Sequence, residues 1–95
     1  MFQCIAVAKI KDGYLDRVLA AAAELAAATR SEGGSVYYNV LKPINAENTL
    51  IFIEKWESAA DFDAHVNGGA CMKFGELMSV AEDGPSQIFP SEIIL

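Results

Sequence analysis

The spacing of apolar residues changes character along the chain, and each change marks an element. Phe2 to Ile10 (FQCIAVAKI) is a short run of β-formers and predicts a first strand. After the turn residues Lys11-Asp12-Gly13, apolar side chains recur at Tyr14, Leu15, Val18, Leu19, Ala22, Leu25 and Ala26. Those three- and four-residue steps predict a helix with one apolar face, in an alanine-rich stretch that favours helix, ending near Ser31 before Gly33-Gly34. Val36–Lys42 and Thr49–Trp56 read as two strands joined by the polar segment Pro43–Asn48, an antiparallel hairpin. Ser58 is placed to cap a helix, with Asp61 in its first turn and Phe62, His65 and Val66 on one face. Asn67-Gly68-Gly69 interrupts that helix. A second piece, Ala70–Ala81, turns Phe74, Leu77 and Met78 inward and stops before Asp83-Gly84-Pro85. Gln87–Leu95 is the last strand, and Pro90, which has no N–H to give, makes it an edge, a bend or a bulge.

The order β-α-β-β-α-β predicts an α+β fold of ferredoxin-like type, an antiparallel sheet with its helices on one face. The strands do not alternate cleanly. TLIFI and IAVA are apolar at successive positions, the pattern of a sheet buried on both faces. Helices cover one face, so a second copy is expected on the other, giving a homodimer through sheet faces. Size points the same way. Residues 1–95 make one domain, and 53% of them are hydrophobic. A chain this short buries only about 60–65% of its unfolded surface, so the apolar excess asks for a second covered surface.

A formal charge of −6, with no cluster of Lys or Arg, argues against nucleic acid and anionic membranes as partners. The most apolar stretch, Val18–Ala28, contains Glu24 and falls short of the roughly 20 residues that span a bilayer. The N-terminus lacks the pattern of a signal peptide, so a cytoplasmic location is expected. Cys4 and Cys71 read as apolar fillers. One histidine and two dispersed cysteines cannot build a dedicated metal site, and no metal, haem or flavin is expected. Hydrolase triads, phosphate loops and paired catalytic carboxylates are not found.

The candidate chemistry sits around the hairpin and the helix after it. His65, inward or at a pocket edge, is a proton acceptor if neutral near its usual pKa of ~6.5, or else a structural partner of a strand carboxylate or carbonyl. Glu54 shares a strand face with Phe52 and Trp56, where a carboxylate needs a partner such as Arg30 or His65, or a proton. Trp56 either stacks on an aromatic ligand or closes the core. Tyr38 either donates to a ligand oxygen or is a core residue with its hydroxyl satisfied. Phe74 is a wall or simple core. Arg30 and Glu32, at the helix exit, cap and pair.

Thr29-Arg30-Ser31-Glu32-Gly33-Gly34 followed by Tyr38, and Phe52-Ile53-Glu54-Lys55-Trp56-Glu57-Ser58 followed by Phe62 and His65, resemble the two signatures of the antibiotic-biosynthesis monooxygenase family. The resemblance runs from Ile5 to about Leu77. It implies a dimeric α+β barrel with a pocket between sheet and helices. It also implies oxidation of quinols or phenols by O₂ without metal or flavin in some members, and isomerisation of small sugar-like metabolites in others. The chain departs from the pattern after His65, where Asn67–Phe74 replaces a stretch with a second histidine. The positions that carry Asn and an iron-ligating His in haem-degrading relatives hold Ala6 or Val7, and Glu76, which disfavours haem degradation. The leading expectation is a cofactor-independent monooxygenase for a small aromatic or quinol-like ligand. In it His65 is the base, Tyr38 a hydrogen-bond donor, and Phe52, Glu54, Trp56 and Phe74 the pocket. An isomerase of a small oxygenated metabolite and a non-catalytic ligand-binding or dimerisation module are the alternatives.

Overall fold

The computed structural model describes all 95 residues. Strand β1 covers Phe2–Lys9, helix α1 Leu15–Arg30, β2 Ser35–Leu41, β3 Thr49–Trp56, α2 Ala59–Val66, α3 Gly69–Ala81 and β4 Gln87–Glu92. All strand pairs are antiparallel, in the order β2-β3-β1-β4, which is the ferredoxin-like arrangement. Ser58 caps α2 by accepting from the Asp61 N–H at 3.2 Å. The interruption at Asn67–Gly68 separates two distinct helices.

The register sorts side chains into cross-strand rows. On the helix side one row reads Ile88, Ala6, Phe52, Val40, and the next Pro90, Cys4, Glu54, Tyr38. On the opposite side the rows read Phe89, Ile5, Ile53, Asn39 and then Gln87, Val7, Ile51, Leu41. The core lies between sheet and helices, where Val18, Ala22, Leu25 and Ala26 of α1 meet Ala8, Leu50 and Phe52. Phe52 and Phe74 pack edge to face at 5.8 Å between centroids. The opposite face carries Ile5, Leu41 and Phe89, all exposed in the single chain.

The last strand is shorter than the apolar pattern predicts. Pairing with β1 ends at Glu92, opposite Phe2, where β1 itself runs out. Ile93–Leu95 therefore leave the sheet, although Ile93 N–H still reaches the Met1 carbonyl at 3.3 Å. Pro90 sits on an edge strand, where its missing donor costs no ladder bond. At the far end of β1, Lys11 N–H bonds the Ala81 carbonyl and Asp83 N–H the Lys9 carbonyl, each at 2.8 Å. These two bonds tie the exit of α3 to the sheet and fix one end of the space beneath the helices.

Gly34 fixes the other end. Its φ is +80°, and a β-carbon there would stand 2.2 Å from Asp61 Cγ. Only glycine lets the turn after α1 lie against the first turn of α2. The Gly34 carbonyl also accepts from Glu57 N–H at 2.8 Å. The α1 exit is thereby clamped to the start of α2, one turn before His65.

Candidate active site

Alternation on β3 places Phe52, Glu54 and Trp56 on the helix side, and all three are buried. Register then sets Glu54 between Cys4 of β1 and Tyr38 of β2. From above, α2 lowers His65 onto this row, and the clamped turn brings Glu32 against it. His65 Nδ1 lies 2.7 Å from Glu32 Oε1, and Nε2 lies 3.7 Å from Glu54 Oε1. Trp56 Nε1–H donates to the same Glu54 oxygen at 2.8 Å, and the indole lies 4.9 Å from the imidazole, centroid to centroid. The histidine is thus held between two carboxylates and packed, tilted, against a tryptophan.

This setting changes the proton chemistry. Burial alone would lower the His65 pKa. Hydrogen bonds to Cys71 and Glu32 and the charge of Glu54 outweigh it and raise the value to about 9. The imidazole is therefore a cation at neutral pH, and the expectation of a neutral base near 6.5 does not hold for it. Burial raises the Glu54 pKa, while the Trp56 hydrogen bond and the His65 charge oppose that rise. Burial and the Glu54 charge also raise Tyr38, so its phenol stays protonated and can donate a hydrogen bond.

A cavity of about 250 Å³ opens over this row. Tyr38, Glu54, His65 and Cys71 line it together with the apolar Phe52 and Phe74, and Glu82 and Ser86 join them from the exit of α3. Ser86 Oγ–H donates to Glu82. The volume falls just under the range of about 300–1,000 Å³ typical of drug-sized ligands, which suits a molecule of one or two rings. Tyr38 is 3% exposed, yet its hydroxyl has no protein partner and is not sealed from the cavity. It is the uncommitted donor of the site. No three His, Cys, Asp or Glu side chains converge where one metal ion could sit.

Most of the residues expected from sequence meet here, in altered roles. Tyr38, Phe52, Glu54, His65 and Phe74 border the cavity. Trp56 does not. It is fully buried behind His65 and serves as a hydrogen-bond donor to Glu54, so it is core and no wall of the pocket. Arg30 is not the partner of Glu54: its Nη2 donates to the Tyr38 carbonyl at 2.9 Å, tying α1 to β2. Glu32 pairs, as expected of it, and its partner is His65. Cys71, read as a filler, is only half buried and stands beside His65 in the cavity, whereas Cys4 is buried. The signal for Cys71 was present: with Phe74 and Met78 it falls at helical steps of three and four on the cavity face.

The antibiotic biosynthesis monooxygenase family pattern matches residues 1–77. The chain belongs to this family. Solved structures agree on the fold. A crystal structure of an antibiotic biosynthesis monooxygenase aligns over 100% of both chains with TM-score 0.92 and 23% identity. A family protein from Nitrosomonas europaea aligns over 100% of both with TM-score 0.93 and 14% identity. A protein from Shewanella oneidensis aligns with TM-score 0.84 and 25% identity, covering 95% of this chain and 89% of its own. No curated protein matches the chain. No helix is long and apolar enough to cross a membrane.

Proposed function

We propose that this family member oxidises a small phenol or quinol with O₂ and needs no bound cofactor. The observation that carries the reading is the cavity itself. It combines an aromatic lining, Phe52 and Phe74, with a free donor, Tyr38, and a buried His65–Glu54 pair. Triplet O₂ reacts slowly with closed-shell molecules, but an electron-rich phenolate can pass it one electron. The protein must therefore deprotonate the substrate, hold the anion and exclude water. Glu54, its basicity raised by burial, takes the substrate proton. His65, already charged, stabilises the phenolate, and Tyr38 donates a hydrogen bond to its oxygen. Recombination of the two radicals gives a ring hydroperoxide. Loss of water leaves a quinone, one O₂ being consumed per phenol.

The same buried acid–base pair supports a second reading, proton transfer in the isomerisation of a small oxygenated metabolite. Oxygen uptake separates the two. An aerobic screen of hydroxynaphthalenes and quinols with metal-free protein should give uptake above the uncatalysed rate. Turnover of an oxygenated metabolite without oxygen uptake would favour the isomerase.

The open sheet face supports a homodimer. Ile5, Val7, Ile51, Ile53, Leu41 and Phe89 stand in two neighbouring rows, each ended by one polar residue, Asn39 or Gln87. A patch of this kind is normally covered in solution. A second copy packed face to face would cover it and leave both cavities on the outer, helical sides. Sedimentation should give about twice the chain mass of 10.2 kDa.

A further inference from the structure

The site holds a nucleophile that the oxidation does not use. Cys71 is a free thiol at the second position after the start of α3, half buried, and open to the cavity. Cys71 and His65 line the same cavity, and His65 Nδ1 is held by Glu32 at 2.7 Å. A histidine held by a carboxylate beside a thiol favours the thiolate, the nucleophilic form. A second observation points to a ligand. In the same cavity the Tyr38 hydroxyl, on a side chain 3% exposed, is without a protein partner.

We propose that Cys71, beside His65 in the cavity, captures a flat electrophilic carbonyl compound of the quinone class as a covalent thioether. The ring packs against the Phe52 and Phe74 side chains, and Tyr38 donates to one carbonyl oxygen. The sulfur lone pair forms the S–C bond at the ring carbon β to that carbonyl. The displaced π electrons move to the carbonyl oxygen. The proton given up by the thiol is matched by one taken up on that oxygen, and the hydrogen on the attacked carbon shifts as a proton to the second oxygen. The product is a hydroquinone thioether. The ring has gained the two electrons supplied by sulfur, and no further oxidant or reductant enters. This addition does not depend on the oxygen chemistry.

Cys4 supplies an internal control. It lines the same cavity, but burial, with the charge of Glu54, pushes its thiol up to about 11, and no imidazole is bonded to it. The two cysteines should therefore differ sharply in reactivity.

The test uses the native chain and 1,4-naphthoquinone, read by intact mass and peptide mapping. One adduct is expected, on Cys71, at a rate that saturates with quinone concentration. In unfolded protein both cysteines should react, without saturation. Cys71→Ser should abolish the adduct, and His65→Gln should slow it by about 100-fold. Equal labelling of Cys4 and Cys71, or a rate linear in quinone up to its solubility, would overturn the proposal on the native chain alone. A folded His65→Gln protein that reacts at the native rate would do the same. Success here with no oxygen uptake on phenols would separate this site from the oxidation, and the reverse result would leave the oxidation standing without it.

Discussion

The two faces of the sheet are built from the same strands and reverse the usual allocation of polarity. On β3, Leu50, Phe52, Glu54 and Trp56 face the helices, while Ile51, Ile53 and Lys55 face away. The face already buried within one chain contains the carboxylate, and the face left open contains the isoleucines. A fold selected for stability alone would put Glu54 outside and leave fewer apolar side chains there. The helix side accepts the cost of a buried ion pair, which is a poor source of stability but a good source of altered proton affinity. The open side holds apolar surface that a second copy would bury. The buried ion pair and the open apolar surface thus lie on opposite faces of one layer.

The largest way to break this division is to remove Glu54. Glu54→Ala leaves the Trp56 N–H without its acceptor and removes the carboxylate that faces His65 Nε2. Taking one member from a buried pair costs about 3–5 kcal/mol, so urea denaturation should show a loss of that order. A loss below about 1 kcal/mol would mean that Glu54 is solvated in solution.

Next is the dependence on pH. His65 in the folded protein titrates at about 9 against an ordinary 6.5, so folding favours its protonated form. That contribution is complete below pH 6.5 and is lost as pH rises through 9, a span worth roughly 3 kcal/mol. Glu54, also raised, acts with the same sign at lower pH. Thermal melting should therefore fall from pH 6.5 to 9 in the native protein, and His65→Gln should flatten that slope. A melting temperature rising over the same window would contradict the geometry around His65.

The smaller effect sharpens the other face. Ile53→Lys adds a charge at the centre of the open rows and touches nothing in the cavity. Dimer dissociation should rise by about 100-fold, with melting of the monomer little changed. Sedimentation across a concentration series reads this directly, and an unshifted dimer would place the interface elsewhere.

Much of the sheet was legible because local signals agreed. β-Formers bounded by turn residues set β3 at Thr49–Trp56, and Ser58 with Asp61 set the start of α2. Glu54 was legible as a buried carboxylate because Phe52 and Trp56 flank it at period two. Its partners were not, since they depend on distant geometry. Glu32 meets His65, 33 residues away, because Gly34 adopts a positive φ that lets α2 approach. The charge of His65 was hidden for the same reason, being the outcome of burial opposed by three contacts from other elements. Trp56 misled because a large aromatic at a strand end serves a pocket or a core equally well in sequence. Ile93–Leu95 misled because apolar composition alone does not say where a partner strand ends.

The central claim is that the cavity over Glu54 oxidises a phenol with O₂. It is tested most directly with an oxygen electrode, using metal-free protein and 1-hydroxynaphthalene, with the uncatalysed rate subtracted. The native protein should consume one O₂ per phenol and release a quinone, while Glu54→Gln, still folded by circular dichroism, should be slower by about 10²–10⁴-fold. No uptake by the native protein with any phenol or quinol, or an undiminished rate in folded Glu54→Gln, would contradict it.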